Sequence, residues 1–110
     1  MDKNVEKPDY KTVSADIYNF RAWIDETTPE ILSRELTAML TNCGYHILNC
    51  IEHHFPVKGY TALWLLAESH LAVHTFPEEE LSYIELSGCN KAHNDLFRKQ
   101  FEKKFYLIER

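Results

Sequence analysis

Residues 60–75 read Tyr60-Thr61-Ala62-Leu63-Trp64-Leu65-Leu66-Ala67-Glu68-Ser69-His70-Leu71-Ala72-Val73-His74-Thr75. Tyr60 to Ala67 is almost continuously apolar over a strand's length, too short for a buried helix. His70 to Thr75 follows as another short strand. Side chains alternate across a strand, so Leu63 and Leu65 share one face while Ala62, Trp64 and Leu66 share the other. Both faces are therefore apolar, whereas an antiparallel strand wetted on one side alternates apolar with polar. The sheet built on this strand needs cover on both sides.

Working outward, Pro56-Val57-Lys58-Gly59 is a turn signal that joins Tyr60 to a preceding strand, His46 to Phe55, as a hairpin. Leu81 to Ser87 reads as a further strand. Thr28-Pro29 pairs an N-cap with a proline at the first helical position. Ile31, Leu32, Leu36, Met39, Leu40 and Cys43 follow at helical spacing, and Gly44 suits a left-handed cap. Lys91 to about Tyr106 returns to that spacing, with Phe97, Phe101 and Phe105 as a core stripe and a basic C-terminal half that suits the helix dipole. Near the start, Val13, Ala15 and Ile17 alternate in a strand over Lys11 to Tyr18.

The expected order is β-α-β-β-β-β-α. The fold class is α+β, a two-layer sandwich with a mainly antiparallel sheet and two helices on one face. Two helices cover one face only. A second copy packed sheet to sheet is the expected cover of the other, giving a homodimer; the N-terminal arm is the alternative cover.

The 110 residues fit one domain, spanning 1–110. The twelve Lys and Arg are scattered within a net charge of −5, so the basic stripe that nucleic acid requires is missing. The start, MDKNVEKPDY, has no apolar core of a signal peptide, and no apolar run approaches the ~20 residues of a membrane span. Cys43, Cys50 and Cys89 are odd in number and form no CxxC pair, which points to free thiols in a reducing cytoplasm.

Reactive side chains concentrate at Glu68, Ser69, His70, His74, Glu78 and Cys89. His70 and His74 point the same way on a strand, but no third ligand stands at a recognisable metal spacing, so no metal is expected. A Ser-His or Cys-His nucleophile lacks any local signature such as GxSxG. By residue type alone, polar residues lining a strand end are the favoured reading. His53, His54, Cys43 and Cys50 are assigned to structure.

The wording of residues 67–78, AESHLAVHTFPE, resembles the processing-site string of S-adenosylmethionine decarboxylases, ESHhxxHTaPE with h apolar and a aromatic. His74 lies five residues after Ser69 and Cys89 twenty after it, both at the family's spacing. The resemblance extends to Ala15-Asp16-Ile17-Tyr18, the Phe55 to Gly59 turn and Thr61, about residues 12 to 105 in all.

The resemblance implies a small bacterial-type pyruvoyl enzyme made as a proenzyme. Ser69 attacks the Glu68 carbonyl, turning the amide into an ester, as a strained backbone allows. Removal of the Ser69 α-proton expels the ester, and hydrolysis leaves a pyruvoyl group. The products are a β chain, 1–68, and an α chain, 69–110. By resemblance His74 is the base, imidazole being the side chain that ordinarily titrates nearest neutrality. Thr61 steadies the oxyester. The pyruvoyl group forms a Schiff base with the substrate amine and takes up electrons as carbon dioxide leaves. Cys89 then protonates the α-carbon, Phe55 stacks on adenine and faces the sulfonium, and Glu78 binds the ribose hydroxyls. The product feeds polyamine (spermidine) synthesis.

Four departures touch the pocket rather than the cleavage string. Gly88-Cys89-Asn90 replaces a common Thr-Cys-Gly, Glu85 replaces Asp, Glu79-Glu80-Leu81 replaces a glycine-bearing loop, and Asn19 replaces Gly. Two alternatives fit such changes: decarboxylation of arginine or ornithine, and an uncleaved regulatory homologue.

Overall fold

The computed structural model describes residues 16–110. Its elements are β1 (Tyr18–Ile24), α1 (Pro29–Asn42), β2 (Ile47–His54), β3 (Tyr60–Leu66), β4 (Ser69–Phe76), a 3₁₀ turn (Pro77–Glu79), β5 (Leu81–Gly88), α2 (Lys91–Lys104) and β6 (Leu107–Ile108). The sheet order is β2-β3-β4-β5-β1-β6. Every neighbouring pair is antiparallel, so the architecture is the expected α+β one.

The helix-facing side of the sheet carries Phe20, Ala22 and Ile24 of β1, Ala62, Trp64 and Leu66 of β3, Leu71 and Val73 of β4, and Ile84 and Leu86 of β5, all buried. The helices meet them with Leu32, Leu36, Met39, Leu40, Phe97 and Phe101. Specific polar bonds fix the layers. Trp64 Nε1 donates to Thr37 Oγ1 at 3.0 Å, tying β3 to α1, and Asn94 Nδ2 donates to the Tyr18 carbonyl at 3.1 Å, tying α2 to β1. Phe20 meets Phe101 edge-on at 5.1 Å between ring centres, a geometry worth about 0.5–1.5 kcal/mol beyond its buried area.

Among the described residues nothing covers the opposite face. Leu63 is 46% exposed, Leu65 54% and Ile51 64%, although Trp64 between the two leucines is wholly buried. Both faces of β3 are thus apolar as expected, and the helices cover one. Among the described residues no helix is long and apolar enough to cross a membrane.

Three expectations need correction. The first strand is Tyr18–Ile24, not Lys11 to Tyr18: Asp16 and Ile17 are outside it, and residues 11–15 lie outside the described residues. Phe20, Ala22 and Ile24 also alternate, and they are the set with a core to enter and with β5 to pair. The last helix stops at Lys104, where Phe105 turns extended and the chain adds β6 beside β1. Of the residues assigned to structure, Cys43 is in the core, but Cys50, His53 and His54 lie exposed on the edge strand β2.

Candidate active site

A two-residue turn, Ala67-Glu68, links β3 to β4, with Leu66 and Ser69 as the closing pair. Ser69 is the first residue of β4, and its other neighbour across the sheet is Gly88, the last residue of β5. Ser69 shares its face with the inward Leu71, Val73 and Thr75, so its hydroxyl lies on the helix side. Gly88 allows this. A Cβ on Gly88 would stand 2.4 Å from Ser69 Oγ, closer than any side chain tolerates. Glycine at position 88 thus leaves the space that Ser69 Oγ takes in this chain.

Cys89 follows directly. Its thiol donates to the Glu68 carbonyl oxygen at 3.6 Å, a weak bond of ordinary length for sulfur. Asn90 caps α2, its Oδ1 accepting from the His93 N–H at 2.9 Å, which explains why an asparagine stands in place of the usual glycine. Glu68, Ser69 and Cys89 are thus gathered at one end of the sheet.

Sequence reading missed a fourth member of this cluster. Tyr45 follows Gly44, whose φ of +91° turns the chain out of α1, and its ring is buried against the His93 ring at 5.3 Å. A tyrosine one residue past a helix cap carries no sequence signal of its own. Burial, reinforced by the neighbouring Cys43 and Cys89 thiols, pushes the Tyr45 phenol up to about 12.

The remaining expected residues lie elsewhere. His74 is five residues along β4 from Ser69, about 17 Å at ~3.3 Å per residue. The odd separation also puts it on the opposite face, which is bare. Its Nδ1 is hydrogen-bonded to Thr61 Oγ1 at 3.2 Å, the two being paired across β3 and β4. Phe55, exposed beyond the end of β2, packs edge-on to His53 at 4.5 Å, and Glu78 is exposed in the 3₁₀ turn beyond β4. So the expected residues form two groups: Glu68, Ser69 and Cys89 at one end, and Phe55, Thr61, His74 and Glu78 towards the other. His74 therefore stands away from the Ser69 of its own chain.

His70 and His74 share the bare face but stand four residues apart, about 13 Å, too far for one ion bound at ~2 Å by each. Among the described residues no three His, Cys, Asp or Glu side chains converge on a point.

A model of the S-adenosylmethionine decarboxylase family matches residues 11–107. An S-adenosylmethionine decarboxylase proenzyme of Prochlorococcus marinus (strain MIT 9313) is 40% identical over 58 residues, covering 53% of this chain and 46% of its own. Proenzyme 2 of Bacillus cereus is 44% identical over 46 residues, 42% of this chain and 37% of that one. These matches span less than half the length of each relative. The crystal structure of the adenosylmethionine decarboxylase from Aquifex aeolicus superposes with a TM-score of 0.60 at 21% identity, covering 86% of this chain and 88% of that one, and shares its fold. With the family match running through both groups of residues, the chain belongs to the S-adenosylmethionine decarboxylase family.

Proposed function

We propose that this chain is a proenzyme that cuts itself between Glu68 and Ser69 and then decarboxylates S-adenosylmethionine to the aminopropyl donor of polyamine synthesis. The observation that carries this reading is the Cys89 thiol on the Glu68 carbonyl, beside a serine for which Gly88 makes room. A carbonyl that accepts a hydrogen bond is polarised for attack, and its charge is stabilised as it develops.

In the cut, Ser69 Oγ bonds to the Glu68 carbonyl carbon, the C–N bond breaks, and the hydroxyl proton ends on the freed nitrogen. A base then takes the Ser69 α-proton and the Glu68 carboxylate leaves. Water replaces the resulting enamine nitrogen, releasing ammonia and leaving a pyruvoyl group at position 69. That group supplies an electron sink for the loss of carbon dioxide. Cys89 is the donor placed to return a proton to the substrate carbon. Phe55 offers a ring face to adenine and Glu78 two oxygens to the ribose hydroxyls.

We infer that the base comes from a second copy. His74 lies on the bare face, far from its own Ser69, whereas Cys89 follows the inward Gly88 and is exposed at the other end. Two copies packed by their bare faces about a two-fold axis that runs across the strands would set the His74 end of one against the Cys89 end of the other. The groove of about 290 Å³ lined by Ile51, Leu63, Leu65 and His70 would be covered in the same step. The three cysteines, none in a disulfide, suit a cytoplasmic enzyme.

Denaturing mass spectrometry tests the reading. Fragments 1–68 and 69–110, the latter blocked at its N-terminus, are expected. A single 13.0 kDa species after prolonged incubation would overturn the enzyme reading in favour of a regulatory role. Carbon dioxide release from S-adenosylmethionine, arginine and ornithine then ranks substrates, with S-adenosylmethionine expected to turn over fastest.

A further inference from the structure

Tyr45 is buried, and its hydroxyl has no hydrogen-bond partner among the described residues. A buried hydroxyl without a partner costs about 1–3 kcal/mol, so such an atom calls for a reason. Its position supplies one. The hydroxyl stands 3.7 Å from the point a Gly88 Cβ would occupy, and Ser69 Oγ stands 2.4 Å from that same point. The two hydroxyls flank one gap that Gly88 leaves open. A cavity of about 150 Å³ adjoins them, lined among others by Tyr45, His46, Glu68, Ser69, Asn90 and His93. It is polar and roomy enough for a water.

We propose that Tyr45 is a positioning residue of the self-cleavage step: its hydroxyl accepts a hydrogen bond from Ser69 Oγ, directly or through one cavity water, and so orients the serine on the Glu68 carbonyl. This rests on the self-cleavage reading and adds to it a residue outside the cleavage string. Tyr45 itself forms no covalent bond and transfers no net proton. Its raised phenol keeps it neutral throughout the range in which proteins are handled, so it acts by orientation alone. Holding a nucleophile in an attack geometry is worth far more than its own modest hydrogen bond suggests, because a small displacement costs rate steeply.

The test uses freshly made full-length precursor and compares Tyr45→Phe with the wild type. Self-cleavage should slow about fivefold or more, the factor of one ordinary hydrogen bond. The melting temperature should change little, since the ring and its packing are kept. Hydroxylamine should not speed the cut, because the block precedes the ester. Incorporating 3-fluorotyrosine at position 45 keeps shape and hydroxyl but weakens the acceptor, and should give an intermediate rate at unchanged melting temperature. If the wild type cuts and Tyr45→Phe or the fluorinated protein cuts equally fast, the role of Tyr45 is overturned while self-cleavage stands. A wild type that never cuts overturns both.

Discussion

At the scale of single residues, the site turns on an atom that is not there. Gly88 shares register with Ser69 on one side and Tyr18 on the other, and any side chain on it enters the space of Ser69 Oγ. The added methyl of Gly88→Ala would force the serine out of its rotamer or push β4 from β5. Overpacking of this kind costs ~1–3 kcal/mol, and the displaced nucleophile should lower the cleavage rate by more than the stability loss predicts. Thermal melting and a time course of fragment appearance measure the two separately; full-speed cleavage in Gly88→Ala would show that the contact does not hold Ser69. Ser69 and His74 could be singled out because one linear string carries them, and Cys89 by its spacing from that string. Tyr45 and the reason for Gly88 could not, since both depend on what the fold brings across from residues about twenty positions away. The chain's common family threonine at 88 would carry a hydroxyl there; in its place stands the gap shared by Ser69 and the Tyr45 hydroxyl.

At the scale of elements, strands that alternate or run apolar between clear turn signals were legible to within a residue or two. β3 shows why: its inward Ala62, Trp64 and Leu66 are buried and its outward leucines are not. β1 was misplaced because two neighbouring stretches alternate, and only pairing with β5 selects Tyr18–Ile24. β6 was invisible because two residues cannot show a period; it exists through contact with β1. That contact is reinforced by the Arg110 guanidinium, which lies 4.5 Å from the centre of the Trp23 ring and 2.8 Å from Glu79. Deleting residues 107–110 should therefore destabilise the sheet edge by roughly 1 kcal/mol, a fall of about 4–8 °C in melting temperature for a chain near this size. Differential scanning calorimetry reads this, and an unchanged melting temperature would mean that β6 adds no stability.

At the scale of the whole molecule, the proposed cut falls between β3 and β4, leaving β1, β2 and β3 on one chain and β4, β5 and β6 on the other. The sheet order interleaves them, with β1 held between β5 and β6 of the other chain. The fragments are thus joined along three antiparallel seams and by the core beneath, and native mass spectrometry should find them together after cleavage. The bare face was legible from β3 alone, but which catalytic residue lies on it was not, because that depends on where β4 begins. Since β4 begins at Ser69, His74 takes the outer face, and the proposed site calls for two copies. Co-expressing Ser69→Ala with His74→Ala tests this. Each variant alone stays uncut, one for want of a nucleophile and the other for want of a base. In a mixed dimer, one of the two sites joins the intact Ser69 of the His74→Ala chain to the intact His74 of its partner. Fragments should appear from the His74→Ala chain only, and from roughly half of its molecules if copies pair at random. A site completed within one chain predicts no fragments at all, so an uncut mixture that is shown to form mixed dimers rules out the shared site.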